Sequence, residues 1–241
     1  MATTEVPRPT LLLVHGAWHG LWCWEKLELH LIAEGWATRT VELPSAARSD
    51  LPNVEPLAGI HRDAQTVLKT LEDIKGPVVV VGHSYGGIPV TQAIANARNV
   101  CHVIYLAAYQ LDVGESLYGF HGAPEPEFPT GVIQPAQDRV AVAAFYADVP
   151  EEEAARAVRN LVPQSVRSFS ERVTQAGWRT IPSTYIICEQ DKALPSEEQE
   201  KLAARASAVH RLQSSHSPFL SMPSKLAALL TYIAHGSRPA Y

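Results

Sequence analysis

The hexapeptide Gly82-His83-Ser84-Tyr85-Gly86-Gly87 follows four consecutive valines at 78–81 and precedes a helix-period stretch at 90–97. A G-x-S-x-G between a strand and a helix makes a turn too tight for side chains at its flanking positions. Glycines therefore stand there, and the central serine is lifted clear of the backbone. Ser84 is the candidate nucleophile. A serine hydroxyl reacts poorly at neutral pH, so it needs a base within hydrogen-bond reach and a third group to orient that base. Of the ten histidines, only His216 lies in a turn-rich loop, Ser214-Ser215-His216-Ser217-Pro218, between the last strand-like run and the last helical pattern. His30 and His61 fall within helical patterns and His235 lies near the chain end. Two acids compete for the third role. Asp191 follows the run 184–188, and Asp112 follows the strand-like run before it. Asp191 is favoured, because it gives the chain order Ser, Asp, His with the acid after the penultimate strand.

Acyl transfer builds negative charge on a carbonyl oxygen, which two backbone N–H groups must meet. The amide of Tyr85, directly after the serine, is one. The second is expected from Val14-His15-Gly16-Ala17-Trp18-His19-Gly20, where Gly16 lets a substrate approach the backbone and the Ala17 N–H points inward. His15 and His19 are four residues apart, a metal-ligand spacing on a helix. A strand-to-loop transition lies there instead, so they are expected to shape the loop, and no metal is expected.

These groups need a frame that brings them to one edge. Residues 11–14, 38–43, 78–81, 103–107, 184–188 and 209–212 read as strands. Between them run helical stripes: Trp24, Leu27, Leu31 and Ile32, ending at Gly35; Leu57, Ile60, Ala64, Val67, Leu68 and Leu71; and Leu226, Leu229, Leu230 and Ile233, with Pro223 near the start and Gly236 past the end. Alternation of this kind predicts an α/β fold with a mostly parallel sheet flanked by helices. The candidate groups then all follow carboxyl ends of strands. Between residues 112 and 181 the alternation breaks into Pro/Glu-rich loops, an acid-led helix pattern at 151–161, and no convincing strand. Four of the five phenylalanines (Phe120, Phe128, Phe145, Phe169) fall there, with Tyr118, Tyr146 and Trp178. The segment reads as a mainly helical lid, 112–181, inserted into a core made of 1–111 and 182–241.

Composition narrows the partners. With 241 residues, 46% apolar, the chain is long enough for one body with a sizeable core. Twenty Lys+Arg against 25 Asp+Glu leave a net charge of −5 with no basic cluster, so nucleic acid is not expected as a partner. Three cysteines, Cys23, Cys101 and Cys188, are an odd number without C-x-x-C spacing, which fits free thiols in a reducing compartment. No charged leader precedes a long apolar run, and no apolar stretch approaches the ~20 residues that span a bilayer. A soluble, cytoplasmic protein with no membrane partner is expected.

The segments V-H-G-A-W-H-G-x-W-C-W, G-H-S-Y-G-G, C-E-Q-D-K-A-L-P and H-S-P-F-L-S-M-P together resemble the α/β-hydrolase superfamily. More closely they resemble the branch of plant methylesterases, polyneuridine aldehyde esterase and hydroxynitrile lyases, with their bacterial relatives. The resemblance spans essentially the whole chain and is weakest in 112–181. It implies Ser84, Asp191 and His216 as a triad, with Ala17 and Tyr85 as oxyanion-hole amides. Hydroxynitrile lyases of this branch carry a threonine where this chain has Gly16 and a lysine where it has Ser217, so the resemblance favours ester hydrolysis over cyanohydrin cleavage. Epoxide hydrolases and haloalkane dehalogenases place Asp at the elbow, where this chain has Ser84. The expectation is a cofactor-free serine esterase for a small, mainly apolar carboxylic ester or lactone, working through an acyl-enzyme. Gly16, Trp18, His19, Phe120, Phe145 and Phe219 are expected to line its pocket. Carbon-carbon hydrolysis or perhydrolysis on the same triad, or a small-molecule receptor that keeps the pocket, are the alternatives. The oligomeric state stays open, a homodimer included.

Overall fold

The computed structural model describes residues 8–46 and 57–237; the reading of the first residues as free of a leader falls largely on 1–7, outside the described residues. The chain opens with β1 (Thr10–Val14), α1 (Glu25–Ala33), β2 (Thr38–Val41), α2 (Ile60–Asp73), β3 (Val78–His83), α3 (Gly87–Ile94) and β4 (Val100–Leu106). It then runs through α4 (Leu117–Phe120), β5 (Val132–Ile133), α5 (Asp138–Phe145), α6 (Glu151–Arg159), β6 (Gln164–Ser165) and α7 (Val166–Ser170). It closes with β7 (Ser183–Cys188), α8 (Ser196–Ala203), β8 (Ala208–Leu212), α9 (Pro218–Ser221) and α10 (Pro223–Gly236).

Six strands pair in the order β2-β1-β3-β4-β7-β8, every pair parallel. Strands buried on both faces are made of near-continuous apolar runs, and the central β3 opens with one, Val78 to Val81. Val78 and Val80 enter one apolar cluster while Val79 and Val81 enter the other; Leu12 and Val14 are divided from Leu11 and Leu13 in the same way. The sheet is thus the wall between two core layers. α2 closes one layer with Ile60, Ala64, Val67 and Leu71, and α1 and α10 close the other with Leu27, Leu31, Leu226 and Leu230. Just past the end of α1 stands Gly35, whose φ of +77° is the left-handed conformation glycine adopts without penalty.

The order also locates a crevice. From β1 the chain steps to one side for β2, then crosses to the other side for β3, and ligands of open α/β sheets bind outside the carboxyl ends at such a reversal. The loop after β1 and the turn after β3 face each other there. Residues 112–181 add no strand to this sheet.

Several boundaries differ from the sequence reading. β4 begins at Val100, Gly236 closes α10 instead of following it, and Ile32 points to solvent at 57% exposure, because the buried stripe of α1 is Leu27 and Leu31 alone. The 112–181 segment does hold a strand pair, antiparallel β5 and β6. Two residues per strand are too few for alternation to register.

The turn after β3 packs tightly on the loop after β1. A Cβ at Gly86 would stand 2.4 Å from the His15 carbonyl oxygen and 2.8 Å from that of Val14, both backbone atoms. Gly86→Ala is expected to cost about 2 to 3 kcal/mol, read by urea unfolding. Gly236→Ala, with nothing within 4 Å, is expected to be neutral or slightly stabilising.

Candidate active site

Ser84 sits at the first position of the turn after β3 with φ of +52°, a left-handed conformation that a non-glycine residue takes only when its surroundings impose it. They do so from two sides. Its carbonyl accepts the Tyr109 N–H at 3.1 Å, and Gly16 lies so close that an added Cβ would meet the Ser84 Cβ at 2.9 Å. His83, just before it, is fully buried and donates from Nε2 to the His216 carbonyl at 2.9 Å, which ties the serine turn to the histidine loop.

His216 follows β8, and its Nδ1–H donates to Asp191 Oδ2 at 2.7 Å. Asp191 follows β7 and is itself held: Oδ1 accepts the N–H groups of Ala193 (2.8 Å) and Leu194 (3.0 Å), and Oδ2 accepts Gln199 Nε2 at 3.1 Å. Both residues are almost wholly buried. Asp112 is elsewhere, half-buried at the surface and paired with Arg179 at 2.7 Å; that guanidinium holds its carboxyl below the usual carboxylate range. Between the two acids the hydrogen bond decides for Asp191 as the partner of His216.

The loop after β1 is pinned by the 112–181 segment. Trp18 has φ of +63°, and three bonds hold it there: its N–H to Gln164 Oε1 (3.3 Å), its indole Nε1–H to the Ile133 carbonyl (3.1 Å), and its carbonyl from the Val162 N–H (2.9 Å). Ala17, beside it, keeps its N–H without an acceptor among the described residues. The same segment reaches the histidine loop, where Asp148 accepts both the N–H (2.9 Å) and the hydroxyl of Ser215.

A cavity of about 410 Å³ brings Ala17, Ser84, Tyr85 and His216 together. Trp18, Tyr118, Phe145 and Phe169 give it aromatic walls, and Tyr109, Leu117, His121, Ala123, Ala144 and Ala193 complete the lining. Trp18 and Phe145 thus lie where the sequence reading puts them. Gly16, His19, Phe120 and Phe219 do not line it. Gly16 lies behind Ser84. His19 is buried, stacked on Trp22 at 5.5 Å. Phe219 turns inward on α9 to pack on Trp24 and His83, each at 4.9 Å, and Phe120 packs on Tyr109 and His121 one layer back. Tyr109 and Ala193, which sequence reasoning missed, carry a usable signal: both follow carboxyl ends of core strands.

Three further histidines underlie the site. Burial lowers His15 and His83 and takes His19 down to about 3. His19 donates from Nδ1 to the Ala17 carbonyl (2.8 Å) and accepts the Tyr146 hydroxyl at Nε2 (2.8 Å); His15 donates to the Gly16 carbonyl (2.9 Å) and accepts the Leu43 N–H (3.2 Å). His15 and His19 thus have both ring nitrogens satisfied as neutral rings and shape the loop, whereas His83 uses only Nε2, its buried Nδ1 having no partner among the described residues. Burial acts oppositely on Asp63, whose carboxyl rises to about 6.

A serine on a strained turn at the switch point of a parallel sheet, with a His–Asp pair on later strand ends, is the arrangement of an α/β hydrolase. The chain belongs to the alpha/beta hydrolase family, whose sequence profile matches residues 11–229. A probable hydrolase of Phoma sp. is 32% identical over 94% of this chain and 98% of its own length. A pheophorbidase of Raphanus sativus is 29% identical over 91% of each chain. The crystal structure of a methylesterase of Arabidopsis superposes with a TM-score of 0.79 at 27% identity, covering 95% of this chain and 99% of that one. The branch containing the plant methylesterases, expected from the motifs, is the one these relatives occupy.

The neutral histidines set a pH dependence of stability. Their folded-state values lie below the ordinary 6.5, so the unfolded chain binds protons that the fold refuses; stability is full above pH 6.5 and is lost as pH falls. Asp63 opposes this, since its raised value favours the fold as pH drops through about 6. For His19 alone the loss at pH 5 is about 2 kcal/mol. His19→Gln, which keeps a donor and an acceptor, is expected to flatten the stability slope between pH 6.5 and 4 by one proton in urea unfolding series.

Proposed function

We propose that the protein is a serine esterase in which Ser84, His216 and Asp191 act on a small, mainly apolar carboxylic ester or lactone. The observation that carries this reading is the 2.7 Å bond from His216 to Asp191, with His216 and Ser84 on the wall of one cavity. The Ser84 hydroxyl attacks the ester carbonyl while His216 Nε2 takes its proton. Asp191, anchored by three other donors, holds the ring in the tautomer that leaves Nε2 free to accept, and it stabilises the imidazolium. The amides of Ala17 and Tyr85 meet the developing oxyanion. The C–O bond to the alcohol then breaks, and the alcohol departs with the proton from His216. Water repeats the relay on the acyl-enzyme: His216 takes its proton, its oxygen bonds the acyl carbon, and Ser84 leaves with that proton as the acid is released.

The aromatic walls support an apolar or aromatic substrate. Tyr109 adds a polar group: its hydroxyl pairs with His121 Nε2 at 2.9 Å within the lining. The names of the relatives, hydrolases and methylesterases, support ester hydrolysis as the class. Among the described residues no helix is long and apolar enough to cross a membrane. Three unpaired cysteines support a reducing, cytoplasmic setting.

Short-chain p-nitrophenyl esters are expected to be hydrolysed, and a fluorophosphonate to label Ser84. Ser84→Ala and Asp191→Asn are each expected to lose about 10³-fold or more in kcat, while Asp112→Asn stays within a factor of about three, as expected of a surface ion pair. Absence of both turnover and labelling in the wild type would overturn the proposal.

A further inference from the structure

Asp63 is a carboxyl with no part in the relay above, yet it is wholly buried on the core face of α2 directly beneath the serine turn. Its Oδ1 accepts the Ser45 N–H at 2.9 Å; its Oδ2 accepts the Ser45 hydroxyl and the Tyr85 hydroxyl, the latter at 2.6 Å. Burying an ionisable carboxyl is expensive unless it is satisfied, and an apolar residue would fill the same place on the stripe more cheaply. Glu171 adds a like charge from α7's end, itself paired with Arg167 at 2.6 Å.

The bonds have a direction. An ionised carboxylate only accepts, so Ser45 spends its single hydroxyl proton on Asp63 and offers lone pairs alone to its other neighbour. That neighbour is Gln164 Nε2, which donates to Ser45 Oγ at 2.7 Å and to Ser168 Oγ at 2.8 Å; Ser168 in turn donates to the Ser165 carbonyl at 2.7 Å. With its nitrogen so directed, Gln164 presents Oε1 to the Trp18 N–H. The chain therefore ends on one side at Tyr85 and on the other at Trp18, next to Ala17.

We propose that Asp63 is a positioning residue that sets both oxyanion amides, that of Tyr85 through the Tyr85 hydroxyl and that of Ala17 through Ser45, Gln164 and Trp18. This rests on the esterase reading above, since it assigns those amides their task. A carboxamide at residue 63 keeps the volume but brings an N–H₂ that must donate, which opposes the hydroxyl of Ser45 or of Tyr85 and breaks the direction of the chain.

The test compares wild type with Asp63→Asn, Tyr85→Phe and Gln164→Met on a p-nitrophenyl ester, with active sites counted by fluorophosphonate titration. Asp63→Asn is expected to lose about tenfold or more in kcat per active site, with KM within twofold, and to bind a trifluoromethyl ketone, whose adduct carries the oxyanion, more weakly by the same factor. Tyr85→Phe and Gln164→Met each break one arm and are expected to lose part of it; in the triple variant, Asp63→Asn adds little to the two. Tyr85→Phe keeps the ring and serves where Asp63→Asn lowers the yield of folded protein. Wild-type kcat per active site in Asp63→Asn, or in Tyr85→Phe and Gln164→Met together, overturns the proposal and leaves the esterase reading intact, as does a loss confined to KM or to the melting temperature. A wild type that neither turns over nor labels overturns both.

Discussion

The close approach of two backbones governs this molecule. The turn after β3 lies against the carbonyls of Val14 and His15 with no room for a side chain at Gly86, and the loop after β1 returns the contact at Gly16, against Ser84. That contact requires β1 and β3 to be neighbours, which the crossing from β2 to β3 provides. It also forces Ser84 out of the ordinary backbone regions, at a strain of roughly 1 to 3 kcal/mol. Because Gly86 meets backbone atoms, the contact brings the turn that carries Ser84 and the Tyr85 amide against the loop that carries Ala17, and all three border one cavity.

Burial does the rest of the electrostatic work. His83 and His216 have ring centroids 4.6 Å apart, and His19 lies 6.0 Å from His83. Were these rings all free to charge, an imidazolium at His216 would form beside like charges. Desolvation keeps His83 and His19 neutral, so on the proposed mechanism His216 takes its proton without a cation next to it. The same desolvation makes the fold acid-sensitive, so loop geometry and stability at low pH are linked through the same rings.

Ser84, His216 and Asp191 were legible in the sequence because each is marked locally, by a glycine pattern or by its place after a strand. The strands were legible for the same reason, since a run such as 78–81 is apolar on both faces only in the middle of a sheet. What lay beyond reach depended on the direction of a side chain or on contacts distant in sequence. His19 and Phe219 are adjacent to the right loops, but a single turn of backbone sends each ring beneath the site instead of into it. Gln164 and Asp148 act on residues 146 and 67 positions away, which no periodicity records. Asp63 did carry a signal, an acid on the apolar stripe of α2 between Ile60 and Ala64, although nothing in the stripe says what it faces.

The 112–181 segment consequently does more than line the cavity. It supplies Phe145, Phe169 and Tyr118 to the walls, and it also supplies the bonds that hold Trp18 at a positive φ and the carboxylate that holds Ser215. A region that shapes the pocket and also clamps the loop after β1 and the histidine loop cannot change one without touching the other. Gln164 makes the point: it sits on β6, yet it is the step through which a carboxyl on α2 reaches the loop after β1. Pocket shape and loop alignment are therefore coupled in this protein, and a change of substrate range through this segment is constrained to substitutions, such as those at Phe145 or Ala144, that leave the hydrogen-bonded residues in place.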